Sequence, residues 1–142
     1  MRRFLFDTAV FVYAVGVDHP YRESCREIVH LQGDGALAGE AGVELLQELA
    51  HVRARRTGDR TSTASFVRQV SSLCIVHDFG WPDLRLALTL FEAYAELDMR
   101  DAVHAATALN HGIDAIVSPD RAFDVVAGLD RIDPVDAIAT LR

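Results

Sequence analysis

At 142 residues and 50% apolar composition the chain has room for one domain with a proper core, so residues 1–142 read as a single domain. Its 14 basic and 21 acidic residues leave a formal net charge of −7, which excludes a protein that coats nucleic acid by overall charge but not one that binds it locally. No run reaches the roughly 18 to 20 apolar residues of a membrane span, no cleavage pattern follows the N-terminal apolar run, and Cys25 and Cys74 lack ligand or disulfide spacing, so a soluble, cytoplasmic protein is expected.

Arg3-Phe4-Leu5-Phe6 is a short apolar run of the kind that forms a buried strand, and a short helix should follow it. His19-Pro20 reads as a turn into a second helix, with Tyr21, Cys25, Ile28, Val29 and Leu31 at helical spacing until Gly33-Asp34-Gly35. Ala36-Leu37-Ala38 is a weak strand. From Glu40 to Arg56 the apolar positions predict a helix with one wide buried face, closed by Thr57-Gly58-Asp59. Another helix is expected over Thr61–Leu73, with Phe66, Val67, Val70 and Leu73 inward, then a strand at Cys74-Ile75-Val76. Trp81-Pro82-Asp83 starts a helix whose apolar face is Leu84, Leu86, Leu88, Leu90, Phe91 and Tyr94. Asp101–Asn110 is an alanine-rich helix ended by Gly112, Ala115-Ile116-Val117 a strand, Pro119–Val126 a helix, and Arg131-Ile132-Asp133 an edge strand. Strands alternating with helices imply an α/β fold in three α/β/α layers, with a short-stranded, mainly parallel sheet whose sites form at the strands' carboxyl ends.

Asp7 interrupts the apolar run FLFDTAVFV, where an unpaired carboxylate costs several kcal/mol. It either caps the helix that starts near Thr8 or holds a cation. Asp120 repeats its position, just beyond the strand Ala115-Ile116-Val117 and after Ser118-Pro119. Asp101 opens the preceding helix, and Glu44 and Glu48 lie one turn apart on VELLQELAHV, so both can share a face. Singly, each aspartate could be a helix-end charge. Gathered at one sheet edge, such acids repel one another unless a divalent cation such as Mg²⁺ sits among them.

The ordered set LFDTAVFV, LLQELAHV, RDAVHAATAL and IVSPDRAF, spanning Phe4 to about Asp133, resembles the PIN domain family, and most closely the VapC toxins of bacterial toxin–antitoxin modules. The resemblance implies an endoribonuclease that uses Mg²⁺ or Mn²⁺, with Asp7, Glu48, Asp101 and Asp120 as metal-binding and catalytic acids. Glu48 is preferred to Glu44 because Leu46-Gln47-Glu48-Leu49 is closer to the family's motif, although counting from the Ala36–Ala38 strand favours Glu44. Ser118 matches a hydroxyl residue beside the family's last aspartate, and Thr8 is a further candidate beside the first. A VapB-like antitoxin and self-pairing into a homodimer are implied as well; the residues alone imply neither.

Arg53, Arg55 and Arg56, with Arg60 and Arg68 beyond, form a local basic cluster suited to RNA, while equally fitting a solvated helix end. His104, one turn after Asp101, is expected to be packed or hydrogen-bonded rather than a ligand, and Asp98 and Asp124 to be rim or solvent groups. A phosphatase of the haloacid dehalogenase type needs a second aspartate two residues after the first, where this chain has Ala9. A PIN-like domain that binds protein or RNA without cutting is the remaining alternative.

Overall fold

A computed structural model describes residues 1–142. Strand β1 (Arg3–Phe6) is central in a five-stranded sheet of order β3-β2-β1-β4-β5, completed by β2 (Ala38–Gly42), β3 (Ile75–His77), β4 (Ala115–Val117) and β5 (Asp130–Ile132). Every pairing is parallel.

Two-residue alternation along the strands divides the core. Phe4, Phe6, Ala115 and Val117 face one side, where helices α1 (Thr8–Val15), α2 (Arg22–Gly33), α3 (Val43–Thr57) and α4 (Arg60–Leu73) contribute Val10, Ile28, Leu45 and Val70. Leu5 and Ile116 face the other, against α5 (Trp81–Ala93) and the alanine-rich α6 (Met99–Asn110). The expected three layers are present. Because both faces are covered, the central strands β1 and β4 need no polar alternate positions, which is why they read as short apolar runs.

β2 departs from expectation. Its strand covers Ala38–Gly42, not Ala36–Ala38, and α3 starts at Val43 rather than Glu40. Glu40 is buried in the middle of the strand, where Arg3 Nε donates to it at 2.6 Å and His77 Nε2 lies at 2.7 Å. Pairing between β1 and β3 therefore outweighs the poor strand propensity of Ala-Gly-Glu-Ala-Gly. Gly39 is where the neighbouring side chains close in, since an added Cβ would collide with the rings of Phe4 and Phe6.

Smaller differences follow. The expected helix at Pro119–Val126 is a 3₁₀ segment over Arg121–Val125, β5 begins one residue earlier than expected, and a short helix α7 (Ala137–Leu141), absent from the sequence reading, buries Ala137 and Leu141. On α5, Ala87 and Leu90 face the core while Leu88 and Phe91 are nearly half exposed, so the expected apolar face is narrower than its leucines suggest. No helix is long and apolar enough to cross a membrane.

Candidate active site

The strand order turns back on itself between β1 and β4, the position at which doubly wound sheets open a crevice at their carboxyl ends. Asp7 leaves β1 there, and Ser118 leaves β4. The Asp7 N–H donates to Val117 O at 3.1 Å, extending the ladder by one rung. Asp7 occupies the N-cap position of α1, yet its carboxylate makes no capping bond. Instead the fully buried Ser118 hydroxyl donates to Asp7 Oδ2 at 2.6 Å and accepts the Asp120 N–H at 3.0 Å. One buried hydroxyl thus ties together the two aspartates that follow parallel strands.

The cavity above these strand ends, of about 670 Å³, is lined by Asp7, Glu48, Asp98, Asp101 and Asp120, together with Thr8, Arg100 and His104. Asp98 caps α6 by accepting the Asp101 N–H at 2.8 Å, and Asp120 caps the 3₁₀ segment through the Ala122 N–H at 2.9 Å. Burial, followed by the charges of Asp98, Asp120 and Asp7, pushes the Asp101 carboxyl up to about 7. Burial likewise raises Asp7, against the opposing influence of His104 and Ser118.

Glu48 behaves differently. Its carboxylate accepts the Thr8 hydroxyl at 3.2 Å and lies 3.5 Å from both His104 Nε2 and Arg100 Nη1. The histidine, more than any other neighbour, holds it below the usual carboxylate range despite burial. The same acids raise His104, overcoming the burial of its ring. Its Nε2 also lies 3.3 Å from Thr8 Oγ1, which closes a His104–Thr8–Glu48 triangle, while its buried Nδ1 has no partner. Like charges therefore crowd on the aspartate side of the cavity, and charges are paired on the glutamate side.

Glu44 lies outside this cavity, in a neighbouring depression with Gln47 and His51. Neither Arg53, Arg55 nor Arg56 lines the cavity. The Arg53 guanidinium stacks 4.5 Å over the Phe66 ring, and Arg56 lies against the end of α1 near Gly16. Arg55 is exposed, two turns beyond Glu48 and so about 10 Å along the helix axis. The cationic side chain in the cavity is Arg100, which the sequence reading passed over although it adjoins Asp101. Asp98 and Asp124 are exposed, as expected, with Asp124 paired to Arg131 at 2.8 Å.

The donor set suits a hard divalent cation, because carboxylate oxygens predominate and both thiols lie elsewhere. No three His, Cys, Asp or Glu side chains stand close enough to ligate one ion by themselves. Mg²⁺ does not require that, since it keeps several waters and takes one or two carboxylates together with substrate phosphate.

Residues 4–129 match the PIN domain. The chain is 37% identical over 132 residues to Ribonuclease VapC7 of Mycobacterium tuberculosis, an alignment covering 92% of this chain and 90% of that protein. Its fold superposes with a TM-score of 0.70 and 16% identity on VapBC2 from Rickettsia felis bound to a DNA fragment from their promoter, covering 92% of this chain and 98% of that one. Superposition on M. tuberculosis VapC20, a sarcin-ricin loop cleaving toxin, gives a TM-score of 0.67 at 15% identity, over 89% and 98% of the two chains. At these identities the two structures bear on the fold alone.

Proposed function

The chain belongs to the PIN domain family, and from that premise we propose that it is an endoribonuclease of the VapC kind, the toxin of a type II toxin–antitoxin module, which hydrolyses RNA phosphodiester bonds with water. The observation that carries this reading is the gathering of Asp7, Asp98, Asp101 and Asp120 around one cavity at the sheet's switch point, where burial first and the neighbouring charges second hold the Asp101 carboxyl at about 7. Such repulsion destabilises an empty site and favours one that takes up a cation.

Asp7, Asp101 and Asp120 would hold a Mg²⁺ or Mn²⁺ ion, directly or through its waters. When bound, the ion lowers the pKa of water and offsets charge developing on the scissile phosphate. Ser118 keeps one Asp7 oxygen in a fixed direction. Glu48, pulled below the ordinary carboxylate range, is a poor proton store; it orients the attacking water by accepting its hydrogen bond. His104 and Thr8 hold Glu48 in place, and Arg100 meets the RNA backbone. Attack by external water leaves the ribose 2′-hydroxyl unused, so no 2′,3′-cyclic phosphate forms; the P–O3′ bond breaks as the new P–O bond forms, the 3′-oxygen leaves as a hydroxyl, and the product carries a 5′-phosphate. A VapB-like antitoxin and a second copy of the chain are the proposed partners, and the cytoplasm is the proposed compartment.

The test is cleavage of RNA by the wild type with Mg²⁺, with EDTA, and by Asp7→Asn with Mg²⁺. Cutting confined to the first, with 5′-phosphate ends, is expected. Equal cutting in all three, or 2′,3′-cyclic phosphate ends, would overturn the mechanism.

A further inference from the structure

Besides the acids, the same cavity is lined by an aromatic group that the hydrolytic chemistry leaves unused. Tyr13, on α1, and His19 and Tyr21, in the turn before α2, all line it. Their rings are close to parallel. Tyr13 and His19 stack with centroids 4.2 Å apart and planes 16° apart, and Tyr21 lies 5.8 Å from Tyr13 and 5.9 Å from His19 at similarly small angles. We propose that this ring group is a stacking platform for one unpaired nucleobase of the RNA, held beside the phosphate to be cut.

The proposal rests on the ribonuclease reading of the acidic site. Three features support it. First, the rings are held before any ligand arrives: the Tyr21 hydroxyl donates to Asp133 at 2.8 Å, the Tyr21 N–H donates to His19 Nδ1 at 3.1 Å, and Tyr13 and Tyr21 rest on the core. Little side-chain freedom is left to lose on binding. Second, His19 is exposed, so the platform has a ring open to the cavity. Third, a cavity lined by five carboxylates repels the sugar-phosphate chain except near Arg100 and a bound cation, whereas a neutral π-face is accepted by any aromatic wall.

A consequence for the substrate follows. In a helix both faces of each base are already covered, so a nucleotide can reach the platform only from a loop, bulge or single strand.

The probe is a set of RNA pentanucleotides, each with 2-aminopurine at one position, whose fluorescence falls when that base stacks. Binding is measured with Ca²⁺ in place of Mg²⁺, so that a divalent cation still offsets the carboxylates, and over times in which no cut product forms. Wild type is expected to quench at one position, and His19→Ala to lose that quench and bind about fivefold more weakly or worse, the scale of one lost stacking contact. His19→Phe, which restores a flat ring, should recover both, and the same sequence fully paired in a duplex should not be quenched. His19 is exposed, so neither variant threatens the core. Absence of quenching by wild type, an unchanged quench in His19→Ala, or equal quenching of the duplex would overturn the platform; an unchanged quench would leave the rings to a protein partner. The outcome is separable from the hydrolytic reading, because failure of wild type to cut RNA with Mg²⁺ leaves the quench measurable, and loss of the platform leaves cutting measurable.

Discussion

Asp101 bears the cost of the crowded cavity. Its folded-state pKa of about 7 exceeds the ordinary 3.8, so the native state binds this proton more tightly than the unfolded chain does. The resulting penalty is absent below about pH 4, grows as pH rises, and is complete above about pH 7. Asp101→Asn removes it. Because the group is only half-buried and solvent screens its neighbours, the full shift is discounted to about 1–2 kcal/mol. Urea unfolding in EDTA should show the variant more stable than wild type by that amount at pH 8, with the gain vanishing toward pH 4. A gain independent of pH would show that the buried, crowded charge of Asp101 is not its source. Ser118 is the opposite case, a fully buried hydroxyl whose two bonds serve Asp7 and Asp120. Ser118→Ala should cost about 1–3 kcal/mol by leaving the Asp7 oxygen and the Asp120 N–H unpaired, and should raise the Asp7 pKa further. Urea midpoints read the first effect, and NMR titration of the Asp7 carboxyl the second.

Among the elements, β2 shows what propensity misses. Ala-Gly-Glu-Ala-Gly offers neither β-branched residues nor alternation, and its assignment is decided by neighbours on both sides. Small residues are required there because the Phe4 and Phe6 rings of β1 press against Gly39. Gly39→Ala should therefore destabilise by about 1–3 kcal/mol through overpacking, with a lowered thermal midpoint and unchanged far-ultraviolet circular dichroism. A neutral effect would mean that the two rings can swing aside. Helices α3, α4 and α6 were legible because each carries an apolar face at helical spacing, whereas α7 has only five residues, too few to display a period. Asp120 caps a 3₁₀ turn and an α-helix alike, so the sequence predicts a full helix where a five-residue 3₁₀ segment forms.

At the scale of the whole molecule, the sheet order joins residues as distant as Ser118 and Asp7, 111 positions apart, and thereby stores repulsion that a cation can relieve. Binding to the folded state alone stabilises it by about 2.7 kcal/mol at a hundredfold excess over Kd. For a domain of this size that corresponds to a rise of roughly 5–10 °C in Tm. Mg²⁺ should therefore raise Tm in wild type, more at pH 8 than at pH 5, since protonated carboxyls bind no metal, and should have a much smaller effect in Asp7→Asn. A Mg²⁺ response that is the same in both proteins would place the ion elsewhere.

By itself the sequence determined the alternation of strands and helices, the parallel three-layer class, and the placing of Asp7 and Asp120 at equivalent strand ends, because all of these depend on local periodicity and on what a buried strand must exclude. The motif favours Glu48, but tertiary structure alone decided that Glu44 falls outside the cavity, that Arg100 rather than the Arg53–Arg56 run enters it, and that Tyr13, His19 and Tyr21 meet as parallel rings. Those outcomes depend on how helices rotate and cross against the sheet, and a side chain's direction across such a contact is set by packing with residues far away in the chain rather than by its own neighbours.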